Sequence, residues 1–497
     1  MHEIKVVGGQ VIDGTGSLPR PAEVGISGGR VTEVAEEVGP ARAVIDADGL
    51  FVAPGFIDVH SHGDGEGVGS LLHAPTAPSV ILQGVTTVIA GMCGFSPLQI
   101  GPHLDAVAEM GVTLNYGVMI GHNAIRKEVM GLQAGAPTPA QLAAMRDLVA
   151  AAMRHGARGL STGLWYVPGA YAQTEEIIAL ARAAAELGGL YASHLRSENA
   201  ESGPQALAEA IEIGRQAGIS VEVAHLKAAE RSAWGQGPAR LAQIEQARAR
   251  GVEIHADAYP YEASATGLNV LLPPEAFEGE GLKSKLSDPV RAREYRAHIA
   301  ERLERIGGPG EVIIALAAAR PEVAGRRLDE VAAALGQSVD DLVLELVLGG
   351  ATSAIYFSMD QADVDAIVTH PLVMIGSDSS LRHPGEGVCH PRTWGTFPRV
   401  LSRYARELQA VDWGPAVHKM TGLPARKFGL MDRGVLQPGA WADLVLFDPQ
   451  RVQDNATYDD PHAAPSGIRQ VLVNGETVVV DGAITEARPG RVLRKSK

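Results

Sequence analysis

Along the middle of the chain, short apolar runs alternate with longer amphipathic stretches. The apolar runs lie at residues 56–62, 86–93, 116–121, 159–164, 190–194, 221–225, 252–257 and 373–378. Each has the length of a buried strand. Between most of them lie segments rich in Ala, Glu, Leu and Arg, at 140–154, 174–187, 203–216 and 239–250. Their composition predicts helices. Each runs out near a glycine (Gly156, Gly188, Gly218, Gly251), where helices commonly terminate. Eight strands alternating with helices predict a parallel (β/α)8 barrel.

The spacing breaks once, between Asp257 and Val373, a gap far beyond an ordinary βα connection. It holds Pro273-Pro274 and helical patterns at 290–306 and 328–348. We read 265–350 as an insertion after the seventh strand, near the barrel mouth. A lid and a packing embellishment both remain open for it. The two chain ends have a different texture, with short β-type runs separated by Gly8-Gly9, Gly28-Gly29 and Asn474-Gly475. Asn-Gly between apolar runs is a strong hairpin signal. Residues 1–54 and 430–497 are therefore expected to form one small β-sandwich, with 55–429 forming the barrel.

Composition narrows the function classes. The 497 residues are 45% hydrophobic and 20% charged, with a net charge of -15, which fits a soluble globular chain. The negative balance argues against nucleic acid or an anionic membrane as partner. No apolar run reaches the ~20 residues that span a bilayer, and the start shows no secretory signal pattern. Only two cysteines occur, Cys93 and Cys389. A disulfide framework is not expected, and a reducing, cytoplasmic setting is. Homo-oligomerisation is left open.

The polar residues at the ends of the predicted strands carry the chemistry. Pro54-Gly55 turns the chain into the first run, which ends in His60-Ser61-His62. Two residues apart on a strand, both imidazoles share a face. The second run ends in Cys93, the fifth in His194, the sixth in His225 and the eighth in Asp378. In such a barrel these ends converge. Imidazole, thiolate and carboxylate together suit Zn²⁺ or a similar ion. Six donors exceed one tetrahedral set, so two metal positions bridged by Cys93 would use them all. Cys389 has no such setting and reads as a buried structural thiol.

These motifs resemble the amidohydrolase superfamily, and within it the D-aminoacylase, or N-acyl-D-amino-acid deacylase, group. The resemblance covers nearly the whole chain. It rests on Pro54-Gly55-Phe56-Ile57-Asp58-Val59-His60-Ser61-His62, Gly91-Met92-Cys93-Gly94-Phe95-Ser96-Pro97 and Ser193-His194-Leu195-Arg196-Ser197-Glu198. It continues through His225-Leu226-Lys227, Asp257-Ala258-Tyr259-Pro260-Tyr261, Gly376-Ser377-Asp378 and His390-Pro391-Arg392-Thr393-Trp394. The fourth strand offers Ser161-Thr162-Gly163 where many superfamily members carry a bridging carboxylated lysine, which leaves the bridge to Cys93.

The resemblance implies a distorted barrel with a small β-sandwich. It implies Cys93, His194 and His225 as ligands of a tightly held zinc, and His60, His62 and Asp378 at a second, weaker position. It also implies Asp378 as the acid/base that takes a proton from metal-activated water and passes it to the leaving amide nitrogen, releasing a carboxylate and a free D-amino acid. Candidate contacts to a small N-acyl amino acid are Tyr166, Lys227, Arg196, Tyr259, Arg382 and Arg392. One departure stands out. Better-known D-aminoacylases tend to place an arginine soon after the Tyr-Pro-Tyr motif, and here none follows until Arg291. Two other readings stay open: a hydrolase of another amide (cyclic imide, hydantoin or dipeptide), and a metal-binding scaffold without catalysis.

Overall fold

Eight parallel strands follow one another around a barrel in the computed structural model, which describes residues 1–65 and 67–495. They are Phe56–Asp58, Val85–Ala90, Asn115–Val118, Gly159–Gly163, Leu190–His194, Val221–Val223, Ile254–Ala258 and Val373–Ile375. Their side chains are buried throughout, because helices cover the outer face and the barrel's own core fills the inner one. The third strand breaks at Met119. Its first part pairs with the second strand, while Ile120–Gly121 pairs with the fourth. The ring closes just beyond the strands, where Ser61 bridges Ser379 and Asp378 N donates to His60 O at 2.8 Å.

Local sequence explains the helices that wrap the barrel. Thr138 accepts from Gln141 N and Gln141 reaches back, forming a capping box ahead of helix Pro139–Arg154, with Pro139 at its first position. Both devices satisfy or remove donors that the first turn leaves unpaired. Helix Gly203–Ala217 stops at Gly218, whose φ of +64° a side chain would strain.

The chain ends meet in one seven-stranded sheet. Phe51–Pro54 pairs antiparallel with Leu444–Phe447, placing Val52 opposite Leu446. A four-stranded sheet from His2–Val7 to Ala41–Asp46 packs on it through Val6, Val24, Ile26, Leu444 and Leu472. Asn474 and Gly475 turn with φ of +51° and +82° between Ile468–Val473 and Glu476–Val480, the backbone a two-residue hairpin needs. The C-terminal tail then runs to the barrel, where Tyr116 N donates to Arg491 O and Leu493 N to Tyr116 O.

After the seventh strand the chain builds a separate layer. Ala263–Thr266, Thr352–Phe357 and Val312–Ala317 form an antiparallel sheet in that order. With helix Pro289–Ile306 they enclose a second apolar core that includes Leu268, Leu271, Ile299 and Leu303. The helical pattern at 328–348 proves to be two helices, Leu328–Leu335 and Val339–Leu348. Gly336 at φ +66° ends one, and Ser338 caps the other by accepting from Asp341 N. Among the described residues no helix is long and apolar enough to cross a membrane.

Candidate metal centre

The first barrel strand ends at Asp58, so His60 and His62 lie just past it rather than on it. They converge because the bridge of Ser61 to Ser379 keeps the chain extended past the strand. Their ring centres lie 5.4 Å apart. His60 is fully buried, and its Nε2 lies 3.2 Å from Cys93 Sγ and 3.3 Å from Asp378 Oδ1. Cys93 Sγ in turn lies 3.5 Å from His225 Nε2, which is 2.6 Å from His194 Nδ1. His62 Nε2 lies 3.0 Å from Asp378 Oδ1 and is partly exposed. All six donors thus come together, with the thiol between the His60 and His225 rings.

Cys93, His225 and Asp378 have φ of +55°, +38° and +49°. Positive φ is uncommon for residues other than glycine, and such strain collects at functional sites. Each follows its strand by two or three residues, so the side chain leaves from a turn just beyond the strand end. Nothing in these residue types announces that conformation.

Buried carboxylates fix the rings from behind. His60 Nδ1 lies 3.1 Å from Asp257 Oδ2, while Asp257 Oδ1 accepts from His225 N at 3.0 Å. His225 Nδ1 lies 3.3 Å from Glu198 Oε1 and 2.6 Å from Lys227 Nζ. Asp58 accepts from Ser377 N and His60 N, which joins the first strand to the last; burial, only partly offset by these bonds, pushes its carboxyl up to about 6. A partner behind each metal-facing imidazole sets its tautomer and orientation. Sequence reading did not assign Glu198 or Asp257 this role, though both lie in motifs it quoted.

The electrostatics favour a cation. Burial opposes ionisation of Cys93, but the charges of His60 and His225, together with the neighbouring His194 and His225 rings, hold the thiol well below its ordinary range. Burial likewise opposes a charge on Asp378, yet Arg392, His60 and His62 hold its carboxyl well below the carboxylate range. Burial also lowers His60, but Asp257, Cys93 and Asp378 together raise it well above the usual imidazole value. His194 Nε2 is buried with no hydrogen-bond partner among the described residues. One donor atom each from His60, Cys93, His225 and Asp378 lies within 4.8 Å of the others, as do those of His194, Glu198 and His225. A thiolate, clustered imidazoles and a carboxylate fit a borderline-soft divalent ion.

The other sequence candidates separate by position. Arg196 does not face the centre as a free cation. It pairs with Glu209 through Nε and Nη2 at 2.9 Å and donates to the carbonyls of Ala170 and Ala172. Lys227 is buried and donates to Glu198 at 2.8 Å. Tyr166 packs its ring 4.7 Å from that of His194, and its hydroxyl accepts from Thr266. Tyr259 stacks under Arg392, 4.6 Å from ring centre to guanidinium carbon, and its buried hydroxyl has no partner among the described residues. Arg382 and Arg392 line one cleft with His62 and Asp378. Cys389 lies apart, buried near Trp394 and Pro461, where burial pushes its thiol up to about 11.

Barrel and centre together define a class, and sequence comparison places the chain within it. The model of the amidohydrolase family matches residues 43–479, and the chain belongs to that family. It is 38% identical to a D-aminoacylase of Alcaligenes xylosoxydans xylosoxydans, over 99% of this chain and 98% of that one. Among solved structures, it is similar to N-acyl-D-glutamate deacylase from Bordetella bronchiseptica in complex with zinc and a phosphonate that mimics the tetrahedral intermediate. The TM-score is 0.86 with 38% identity, covering 99% and 100% of the two chains. A D-aminoacylase structure solved in work on its binuclear metal centre matches equally, with TM-score 0.86, 38% identity and complete coverage of both chains.

Proposed function

We propose that this chain is a metal-dependent amidohydrolase that cleaves N-acyl-D-amino acids to a carboxylate and a free D-amino acid. The observation that carries the reading is the place of Asp378. Its carboxylate touches both His60 and His62 at the centre, and Arg392 Nη1 stands 2.9 Å from its other oxygen. A purely structural metal has no use for a carboxylate held at the cleft. The D configuration rests on the relatives, which act on D substrates by name.

Cys93, His194 and His225 would hold one ion, with His60, His62 and Asp378 toward a second position that shares Cys93. A divalent ion such as Zn²⁺ supplies Lewis acidity there, easing deprotonation of water and polarising a carbonyl. Asp378, kept ionised by Arg392 and the imidazoles, takes the proton of the attacking water. It then delivers that proton to the amide nitrogen, which leaves as an amine rather than as a costly anion. Arg392 and Arg382 face the same cleft and would receive the substrate carboxylate, with the free Tyr259 hydroxyl beside them. These two cations would stand in for the arginine that is missing after Tyr261. Glu198 and Asp257 hold His225 and His60 in register.

Release of free amino acid from N-acetyl-D- and N-acetyl-L-amino acids, using protein of known zinc content, tests the proposal. D substrates should turn over and Asp378→Asn should lose about 10³-fold or more in kcat with its fold intact. No release from any D substrate by zinc-loaded protein would sink it.

A further inference from the structure

Away from the Cys93 centre, the loops that follow the first and last barrel strands meet a second time. Near their base they are zipped by His62 N to Ser379 O and Leu381 N to Gly69 O. Farther out, His73 from the first loop faces His383 and Glu386 from the second. His73 Nε2 lies 2.8 Å from Glu386 Oε1, Glu386 Oε2 accepts from His383 N at 2.9 Å, and the two rings are 5.7 Å apart. One donor atom from each of the three lies within 4.8 Å of the other two. The side chains of His73 and Glu386 keep 36% and 24% of their surface exposed, so solvent ions reach them.

We propose that His73, His383 and Glu386 form a separate divalent-metal site that clamps these two loops. Two imidazoles and a carboxylate are the donors of Zn²⁺ sites with an open fourth position, and they favour Zn²⁺, Ni²⁺ or Co²⁺ over Mg²⁺ or Ca²⁺. Contacts with His73 Nε2 and the backbone N–H of His383 already hold the Glu386 carboxylate in place between the two imidazoles. The second loop also carries Arg382, next to His383, and leads into the helix that begins at Arg392; both arginines line the cleft at Asp378. An ion in this site holds the loop that presents those cations. Its occupancy therefore acts on KM for a carboxylate substrate more than on kcat. No sulfur is among the donors, which separates this site spectroscopically from the centre that includes Cys93.

The test titrates Zn²⁺ and Co²⁺ into metal-stripped wild-type protein and the variants His383→Ala and Glu386→Gln, by equilibrium dialysis with elemental analysis. Wild type should bind one ion per chain more than His383→Ala. That extra Co²⁺ should lack the thiolate charge-transfer band of the Cys93 centre. Glu386→Gln, nearly isosteric, should weaken the extra ion by at least ~10-fold. Unfolding temperatures in chelator show whether the variants share the wild-type fold. Equal ion counts and affinities in wild type and both variants would mean an ion pair only, and would overturn the proposal.

Discussion

Arg392 Nη1 stands 2.9 Å from Asp378 Oδ2, yet it makes no hydrogen bond to it or to any other described residue. The guanidinium acts on Asp378 through its field while that donor stays open to a ligand. Arg392→Met should therefore do two things at once. It should raise KM for carboxylate substrates and cost about 10²-fold or more in kcat/KM, as loss of a charged bond to substrate does. It should also move the acid limb of the pH profile upward, because a carboxyl that loses a neighbouring cation protonates at higher pH. A KM effect with an unmoved acid limb would show that the field argument fails.

Cys93 lies between the His60 and His225 rings, at 3.2 and 3.5 Å. Cys93→Ser should deplete both positions of the centre, whereas His62→Ala should deplete only the outer one. Ion counts by elemental analysis after dialysis decide this, made in a His383→Ala background so that the outer loops do not contribute. Equal loss in both variants would contradict the bridging role.

Lys227, which is buried, and Glu198, which is nearly so, form an ion pair at 2.8 Å. Burial is the largest influence on both and opposes each charge, but the partner's charge together with the surrounding groups (Tyr259 and Asp378 for the lysine, His194 and His225 for the carboxyl) outweighs it, raising the lysine and lowering the carboxyl. Removing one partner strands the other, so Lys227→Met should destabilise by ~3–5 kcal/mol. The double variant with Glu198→Gln should recover most of that loss in denaturant unfolding. Simple additivity of the two single variants would refute the pairing.

Lys419 is buried and, among the described residues, donates only to the His370 carbonyl, and burial lowers it to about 7. Its ordinary value is 10.5. Between these values the unfolded chain holds a proton that the folded one lacks, so stability rises with pH there. Below about 7 both states hold it and the penalty is constant. Relative to Lys419→Met, the wild type should gain up to about 1.4 kcal/mol per pH unit from pH 7 upward. An offset that does not change with pH would rule out this titration.

The barrel was legible because its strands are continuous apolar runs and its helices carry glycine or capping signals. The centre was legible in composition, since His60, His62, Cys93, His194, His225 and Asp378 are rare residue types placed at run ends. Their geometry was not. The positive φ at Cys93 and His225 arises from turns that tertiary contacts impose. The roles of Glu198 and Asp257 depend on which strands lie side by side, and register between distant segments leaves no local mark. Arg196 was misplaced for the same reason: Glu209, which captures it, lies on the next helix. The split of the 328–348 pattern into two helices was readable from Gly336 and Ser338.

The pairing of Val52 with Leu446 has a consequence for how the chain is made. The partner of this early strand leaves the ribosome roughly 390 residues later, about 20–80 s at ~5–20 residues per second. Over that interval the edge of Phe51–Pro54 has no native neighbour on that side, and Val6, Val24 and Ile26 await Leu444 and Leu472 to cover them. Tyr116 waits longer still, for Arg491 and Leu493. Biosynthesis therefore leaves the apolar, strand-rich segment 1–54 without this cover while the intervening chain is made, which marks it as a segment for a chaperone to shield.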